Sequence, residues 1–518
     1  MTVLSRPAAL ALAHPRVAAL ALGAVAALGF RPLMLWPLTL AAMAAMFALV
    51  AQGGWKRAAG LGWLFGVGHF TIGNTWIATA FGFQAAMPAW LGMIAVVLLS
   101  FYLAVFPALS FAAARALAPN GKVALVYAAG ACWIVAEWLR GWVCTGFPWN
   151  PLGAVTLGTY AHPGLARIVP WLGTYALSGL VALLAGGLWI AVARGKWTLA
   201  ILPLLPFLLP LGGDSRPGTL PVTLVQPDIA QETLDDPARY EEHFQRTAAL
   251  SAPKDARQRL VLWPESGVPD YLRPGYPHGA YDATTFGGDP AAARARLGRV
   301  IGPGSLLMTG TVDLAFAGDR LTGARNVVTA LDASGAIMGG YAKAHLVPYG
   351  EYLPMRTLLE PIGLSRLVPG SIDFLPGPGP QTLDLGPWGR AGIQVCYEIV
   401  FSGQVVDRAN RPDYLFNPSN DGWFGAWGPP QHLAQARLRA IEEGMPILRA
   451  TTTGISAVID AKGAVRRYLP SGLPGRIDTT VPPPAPPTLF ARLGNALPLA
   501  WAALLAVLSL VASRRRLG

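Results

Sequence analysis

The stretch GIQVCYEIV, residues 392–400, decides how the second half of this chain is interpreted. An apolar run ends at Cys396, and an acidic residue follows two positions later. This pattern is typical of a buried strand that stops at a reactive side chain. Layered sheets commonly present their functional groups at such strand ends. Cys396 is therefore a candidate nucleophile.

Two other stretches, WPES at 263–266 and YAKAHLVPYGE at 341–351, place Glu265 and Lys343 after apolar runs. A thiol attacks a carbonyl group as thiolate, which a neighbouring ammonium stabilises and a carboxylate base helps to form. Glu265 is suited to act as general base and then acid, and Lys343 to stabilise the oxyanion. Alone, each residue has a plainer explanation, as a buried small side chain or a solvated charge. Their joint occurrence favours an acyl-transfer site with a thioester intermediate.

The composition indicates a membrane protein. Hydrophobic residues make up 53% of the 518 residues and charged residues only 13%, far from the average of soluble proteins. The net charge of +12 comes from scattered Lys and Arg residues, a pattern that argues against nucleic-acid binding. Cys132, Cys144 and Cys396 form neither a disulfide framework nor a zinc motif, and the seven His residues show no metal-binding spacing. We therefore expect no metal.

Apolar runs near the length that spans a bilayer, about 20 residues, predict eight transmembrane helices. They lie at about 15–30, 33–51, 60–82, 88–114, 122–140, 166–193, 197–213 and 489–512. Basic residues mark alternate connections, namely Arg6, Arg16, Lys56, Arg57, Arg115, Lys122, Arg194, Lys196 and the arginines at 514–516. Because basic short loops remain in the cytoplasm, both termini are predicted to be cytoplasmic and the region between the last two spans to lie on the opposite side.

The loop after the fifth span is unusually aromatic. Trp138, Trp142, Phe147 and Trp149 surround Thr145 and Gly146. Such rings favour the headgroup level of a bilayer, so one interpretation is an interfacial anchor. The other is a rim through which lipid reaches the catalytic side.

Between about 218 and 487 the pattern is that of a layered α and β domain. Predicted strands are Thr219–Val225, Arg259–Trp263, Leu306–Asp313, Asn326–Leu331, Ala391–Cys396, Asp413–Asn417 and Ile455–Ile459. Predicted helices are Pro237–Leu250, Ala291–Ile301, Gln404–Ala409 and Gln431–Glu443. In the last of these, Leu433, Ala436 and Ala440 form one apolar face, and Arg437 and Glu442 lie outside it. Asp332–Gly335 is predicted to be a hairpin turn, and Gly267–Asp289 and Pro369–Gly389 to be long loops.

These motifs together resemble the nitrilase superfamily, whose Glu-Lys-Cys triad occurs in this order in an α-β-β-α sandwich. More specifically, the chain resembles the apolipoprotein N-acyltransferase family over nearly its whole length. The matching stretches are 146–149, 263–266, 345–352, 396–398 and 419–425. The resemblance implies a polytopic α-helical membrane domain with eight transmembrane helices plus a nitrilase-like sandwich. The implied boundaries are 1–213 for spans one to seven, 214–487 for a periplasmic catalytic domain, and 488–518 for span eight and a basic tail.

The resemblance implies an activity as well. Cys396 takes a fatty acyl chain from a phospholipid and transfers it to the amino group of a diacylglyceryl-cysteine at the N-terminus of an apolipoprotein. It also implies no cofactor, a monomer and a bacterial inner-membrane location. A membrane-tethered amidase or nitrilase acting on small amides is the alternative enzyme. A transporter is disfavoured because the predicted spans hold few ionisable groups away from their ends.

By resemblance, Glu351 and Glu398 support the charge and orientation of the triad, and Tyr397 lies beside the nucleophile. Two plainer interpretations are that Glu398 caps the following helix and that Glu351 anchors its loop. His345 is assigned a structural role.

Trp423 matches a family aromatic near the acyl site, although core or interface packing would explain a tryptophan equally well. By resemblance, Trp149 of the matching stretch 146–149 is a further supporting or substrate-binding residue. One departure is Asp235, which stands roughly where the family usually has a tryptophan. No contact of that tryptophan can therefore be transferred to this chain.

Overall fold

The structure is a computed structural model that describes residues 13–83, 88–196, 198, 201–202, 217–359, 361 and 373–515. These residues form a bundle of apolar helices and a two-sheet sandwich that packs against one end of it.

The main helices of the bundle are Pro15–Ala27, Trp36–Val50, Trp55–Gly73, Leu91–Leu103, Val105–Leu117, Lys122–Arg140, Thr174–Ala193 and Ala496–Arg514. Four segments of the described chain are long and apolar enough to cross a membrane: Leu91–Leu117, Lys122–Arg140, Thr174–Ala193 and Ala496–Arg514. Pro15–Ala27 and Trp36–Val50 are shorter apolar helices. The predicted total of eight spans is therefore not confirmed, and most of the predicted span 197–213 lies outside the described residues.

Glycines allow two of the bundle helices to approach closely. A Cβ atom at Gly68, in Trp55–Gly73, would lie 2.1 Å from the carbonyl oxygen of Leu20 in Pro15–Ala27. A Cβ atom at Gly23 would lie 1.9 Å from the carbonyl oxygen of Phe65. No side chain fits at these separations, and close backbone contact of this kind is how small residues hold membrane helices together.

The sandwich contains two six-stranded sheets. In chain order the strands are β1 Pro221–Gln226, β2 Leu260–Leu262, β3 Leu306–Ala317, β4 Arg320–Asp332, β5 Ile337–Ala342, β6 Thr382–Asp384, β7 Arg390–Ile393, β8 Tyr414–Ser419, β9 Ile447–Thr451, β10 Ser456–Ile459, β11 Val465–Leu469 and β12 Gly475–Thr480. The first sheet has the order β12-β1-β2-β3-β4-β5 and the second β11-β10-β9-β8-β7-β6. In each sheet three neighbouring strands are parallel, β1-β2-β3 and β7-β8-β9, and the outer pairs are antiparallel.

The two sheets face each other across an apolar core, and helices cover their outer faces. Tyr240–Ser251 and Pro290–Ile301 pack on the first sheet, and Gly428–Glu443 packs on the second. The predicted α-β-β-α order of layers is thereby confirmed. Shorter α-helices are Ile77–Ala80, Val169–Leu172, Gln231–Leu234, Arg356–Leu359 and Leu489–Leu493.

Gly428–Glu443, called the interface helix below, lies between the sandwich and the bundle. Leu433, Ala436 and Ala440 belong to the core of the second sheet, while Ala434, Leu438 and Ile441 belong to the core of the bundle. Every residue of the helix except Pro430 is buried. The sequence predicted one apolar face, but the helix has two.

Its charged side chains are satisfied inside the junction. The guanidinium of Arg437 donates to the carbonyl oxygens of Thr159 (2.7 Å) and His162 (3.0 Å). Arg439 donates to the carbonyl oxygen of Val400 (2.9 Å) and forms an ion pair with Glu442. Buried charges are tolerated only with such partners. The bundle therefore supplies hydrogen-bond acceptors that the interface helix requires.

Most predicted elements of the sandwich are confirmed, including the turn at Asp332–Gly335, where the Asp332 carboxylate accepts from the backbone N–H groups of Ser334 and Ala336. The predicted helix Gln404–Ala409 is wrong. Gly403 has a φ of +77°, and the Asp407 side chain accepts from the N–H groups of Ala409 and Asn410. Such local bonds compete with the helical pattern.

The predicted loop Gly267–Asp289 is confirmed, since it contains only two 3₁₀ turns, His278–Ala280 and Phe286–Gly288. The predicted loop Pro369–Gly389 is wrong in part, because it contains β6, which pairs with β7. Residues 369–372 of that loop lie outside the described residues. The sequence prediction also missed β9, β11 and β12.

Candidate active site

Strand ends from both sheets bring the three predicted catalytic residues together. Glu265 follows β2 and Lys343 follows β5, both in the first sheet, while Cys396 follows β7 in the second. All three side chains are buried. The Lys343 Nζ atom lies 3.5 Å from Glu265 Oε1 and 2.9 Å from Glu351 Oε2. An ammonium and two carboxylates therefore share one enclosed site.

The carboxylates determine the charge of Lys343. Its side chain is 1% exposed, and burial alone would lower the pKa of an ammonium. Glu351 and then Glu265 outweigh the burial and raise the pKa of Lys343. The group therefore remains a cation across the physiological range.

Asn326, which the sequence analysis did not select, connects the two carboxylates. Its Nδ2 atom donates to Glu265 Oε1 at 2.7 Å and to Glu351 Oε1 at 3.0 Å, and its carbonyl oxygen accepts from the Lys343 N–H at 2.9 Å. The second oxygen of Glu265 accepts from the Asn420 N–H at 2.8 Å. The orientation of Glu265 is thus fixed by donors on both oxygens. A polar amide at the start of the predicted strand Asn326–Leu331 was the available signal.

The Cys396 thiol is held in a strained turn. Cys396 has a φ of +51° and begins the 3₁₀ turn Cys396–Val400, a conformation that L-residues with a side chain rarely adopt. Burial raises the pKa of Cys396, the Glu265 carboxylate raises it further, and Lys343 opposes both. The thiol is therefore protonated at rest and requires a base to become a nucleophile.

Glu398 fixes the geometry of the turn that carries Cys396. One carboxylate oxygen accepts from the Tyr341 hydroxyl (2.7 Å) and from the N–H groups of Ala344 (2.8 Å) and His345 (3.1 Å). The other accepts from the Val395 N–H at 2.7 Å. Burial raises the pKa of Glu398 to about 7. Glu398 thus caps its own turn and also ties it to the segment that carries Lys343.

The site touches the bundle through the aromatic loop after helix Lys122–Arg140. The Tyr397 hydroxyl donates to the carbonyl oxygen of Gly146 at 3.3 Å, and His345 Nε2 lies 2.9 Å from that of Thr145. The His345 ring packs on Phe401, with centroids 3.6 Å apart. These contacts agree with the structural role assigned to His345.

Trp149 lies in the same junction and is fully buried. Its indole N–H donates to Gln431 Oε1 at 2.8 Å, and its ring packs against Trp76 at 4.6 Å. An exposed interfacial anchor is therefore the wrong interpretation for Trp149. Trp423 is half-buried, and its ring meets Phe83 of the bundle edge-on at 5.5 Å.

Known protein families match this chain in two parts, one over the helical bundle and one over the sandwich. The family model of the apolipoprotein N-acyltransferase N-terminal domain matches residues 22–187, and that of carbon-nitrogen hydrolases matches residues 222–471. The apolipoprotein N-acyltransferase of Rhodopseudomonas palustris is 35% identical and the match covers 96% of this chain and 95% of that protein. The chain belongs to the apolipoprotein N-acyltransferase family.

Other members of the apolipoprotein N-acyltransferase family align over similar lengths. The protein of that name from Vibrio cholerae is 30% identical, with coverage of 96% of this chain and 97% of that one. Among solved structures, a mutant amidase from Nesterenkonia sp. AN1 is 17% identical and has a TM-score of 0.32, with coverage of 56% of this chain and 96% of that one.

Asp235, which stands roughly where the family usually has a tryptophan, lies near the candidate active site. Asp235 follows the short helix Gln231–Leu234, and burial raises the pKa of its carboxyl group. Gln231 Oε1 of that helix accepts from Asn420 Nδ2 at 2.7 Å. Because the Asn420 N–H bonds to Glu265, this helix supports the site from the side.

A second buried network, also missed by the sequence analysis, lies behind Cys396 and contains Asp421, His432 and Arg449. His432 Nε2 is 3.0 Å from the carbonyl oxygen of Cys396. The available signal was the stretch 419–425, which precedes the interface helix. Among the residues that the structure describes, no three His, Cys, Asp or Glu side chains are grouped to hold a metal ion.

Proposed function

We propose that this protein transfers a fatty acyl chain from a membrane phospholipid to the N-terminal amino group of the diacylglyceryl-cysteine of apolipoproteins. The observation that carries the proposal is the buried cluster of Lys343 with Glu265 and Glu351 beside Cys396, at the junction with an apolar helical bundle. The names of the family members, which align over nearly the whole chain, support the same reaction.

In the first half of the proposed reaction, the Cys396 thiol gives its proton to Glu265 while its sulfur attacks the ester carbonyl carbon of the phospholipid. The Lys343 ammonium stabilises the negative charge that develops on the carbonyl oxygen. The carbon–oxygen bond to glycerol then breaks, and Glu265 returns the proton to the departing oxygen. The products are a lysophospholipid and a thioester on Cys396.

In the second half, the amino group of the lipoprotein attacks the thioester carbonyl. Glu265 removes a proton from the attacking nitrogen as the carbon–sulfur bond breaks, and that proton returns to the sulfur of Cys396. The product is an amide, and the enzyme is ready for another cycle. Each step uses only the ester, the amine and side chains of the chain itself, so the proposed reaction requires no cofactor.

The remaining predicted site residues receive supporting roles in this proposal. Glu351 holds Lys343 charged and oriented, while Glu398 and Tyr397 fix the turn that carries the thiol. Trp423 and Trp149 belong to the aromatic contacts between the sandwich and the bundle, and in this proposal the acyl chain approaches the site there.

We further propose the predicted division at 1–213, 214–487 and 488–518, with the protein in the bacterial inner membrane and the sandwich in the periplasm. Arg115 and Lys122 lie at the end of the bundle away from the junction, which supports this orientation by the positive-inside rule. Arg115 Nε donates to the carbonyl oxygen of Gly53 at 2.7 Å, and the Lys122 ammonium lies over the ring of Trp189. A periplasm-specific reporter fused near residue 300 should be active, and cytoplasmic activity there would refute the orientation.

The reaction is tested by the intact mass of the protein after incubation with a phospholipid of defined acyl chains. We expect the wild type to gain the mass of one acyl group and Cys396→Ser to gain none at this site. Cys144→Ser, which removes an exposed cysteine, is the matched control and should acylate like the wild type. Absence of an adduct on the wild type, or release of ammonia from simple amides without lysophospholipid, would overturn the proposal.

A further inference from the structure

The backbone carbonyl of the nucleophile has a buried partner. His432 Nε2 lies 3.0 Å from the Cys396 carbonyl oxygen, and Asn417 Nδ2 lies 3.4 Å from it. Both side chains are fully buried. Because a carbonyl oxygen only accepts hydrogen bonds, Nε2 of His432 must carry a proton and donate it.

Two charged residues hold the other side of the imidazole. His432 Nδ1 lies 3.0 Å from Asp421 Oδ1 and 3.0 Å from Arg449 Nη2. Arg449 Nη2 lies 2.6 Å from Asp421 Oδ2, and the Ser419 hydroxyl donates to Asp421 Oδ1 at 3.0 Å. These contacts fix the orientation of the ring, and the Cys396 carbonyl on its other side requires the proton on Nε2.

The same histidine is linked to the bundle by its neighbour in the interface helix. Gln431 Oε1 accepts from the indole N–H of Trp149 at 2.8 Å, and Gln431 Nε2 donates to the carbonyl oxygen of Arg31 at 3.1 Å. The Trp149 ring also packs on the His432 ring, with centroids 5.2 Å apart. Consecutive residues of one helix thus touch the membrane part and the nucleophile.

The strained conformation of Cys396 explains why such a support is needed. A residue with a side chain at a φ of +51° returns to a relaxed conformation unless its surroundings fix the backbone. We infer that His432 is a positioning residue: its Nε2–H holds the Cys396 carbonyl, and Gln431 and Trp149 hold the helix that carries it. This inference rests on the proposed function, because it takes the Cys396 thiol as the nucleophile that the junction orients.

The test measures single-turnover formation of the acyl-enzyme by variants of the full-length protein in detergent, with a defined phospholipid as substrate. His432→Leu, which loses the donor, should acylate about 10²-fold more slowly, the effect expected of a misplaced reacting group. The KM for phospholipid should change less than about threefold, because the support acts on the nucleophile and not on lipid binding. His432→Gln, whose amide can still donate to the carbonyl, should recover most of the rate.

Gln435→Met is the matched control, since Gln435 is buried one turn further along the interface helix and neither of its amide atoms bonds to a described residue. It should acylate at the wild-type rate. If His432→Leu does not fold, Gln431→Met removes only the outer support and should slow acylation about tenfold.

The outcomes separate the two proposals. Absence of an adduct on the wild type refutes the proposed function itself. A wild type that acylates alongside a folded His432→Leu of equal rate refutes only the positioning role. The role is also refuted if His432→Gln is as slow as His432→Leu, because restoration of the donor then makes no difference.

Discussion

Replacing Lys343 by methionine removes a positive charge that lies 2.9 Å from Glu351 and 3.5 Å from Glu265. At an effective dielectric constant of about 20, these separations correspond to attractions of about 6 and about 5 kcal/mol. Desolvation offsets much of that attraction. Removing one partner from a buried ionic cluster typically costs about 3–5 kcal/mol, because the remaining charge loses its compensation. We therefore expect Lys343→Met to fold with clearly reduced stability at neutral pH.

The same change should make stability depend on pH. In the wild type the pKa of Lys343 is raised, so its contribution is complete below the unfolded value of about 10.4 and constant between pH 5 and 9. In the variant, two carboxylates face each other without a cation, and the folded-state pKa of one of them must rise. That carboxyl group stabilises the folded variant fully below its unfolded pKa of about 4.3. The stabilisation is lost as the pH rises through the raised folded-state pKa.

The measurement is thermal unfolding in detergent at pH 5 and pH 8. We expect the difference in Tm between Lys343→Met and the wild type to be larger at pH 8. Adding Glu351→Gln to the variant removes one carboxylate and should abolish most of this pH dependence. Equal pH dependence of the wild type and Lys343→Met would refute the electrostatic reasoning. Acyl-enzyme formation by Lys343→Met should fall about 10²- to 10³-fold.

Three further predictions concern the packing and the hydrogen bonds. Gly68→Ala should lower the Tm, because its methyl group meets the Leu20 carbonyl. Gly60→Ala lies in the same helix, where no atom of the described residues comes within 4 Å of an added Cβ, and it should be neutral or stabilising by about 1 kcal/mol. Gln435→Met should raise the free energy of unfolding by about 1 kcal/mol, since it removes a buried amide that has no hydrogen-bond partner among the described residues. Glu398→Gln should lower it by about 1–3 kcal/mol, because an amide nitrogen must then face a donor; an unchanged Tm would contradict the assigned bonds.

The sequence singled out Glu265, Lys343 and Cys396 as candidate site residues because each follows an apolar strand. Glu265, Lys343 and Cys396 meet because the sandwich brings strand ends of both sheets together. Asn326 and His432 were missed because the local signals, a polar amide at the start of a strand and the stretch 419–425, do not show which distant atoms these side chains contact. Their importance arises only from atoms that are distant in the sequence.

The failures have local physical causes. Gln404–Ala409 was predicted to be a helix, but the backbone conformation of Gly403 and the side-chain bonds of Asp407 prevent one. Strand β6 has three residues among glycines and prolines and depends on pairing with β7. Arg437 was predicted to lie outside the apolar face of its helix, but the bundle covers it and supplies carbonyl acceptors. Contacts between distant segments decided each case.

The double burial of the interface helix has an evolutionary consequence. Leu438 and Ile441 meet the bundle while Leu433 and Ala440 meet the sheet, and Arg437 takes its acceptors from the loop at 159–162. Substitutions in the bundle or in the sandwich at this helix therefore require matching substitutions in the other part. Neither part can be exchanged by recombination alone. A functional chimera between two species would have to inherit this helix and the bundle loops around it from the same parent.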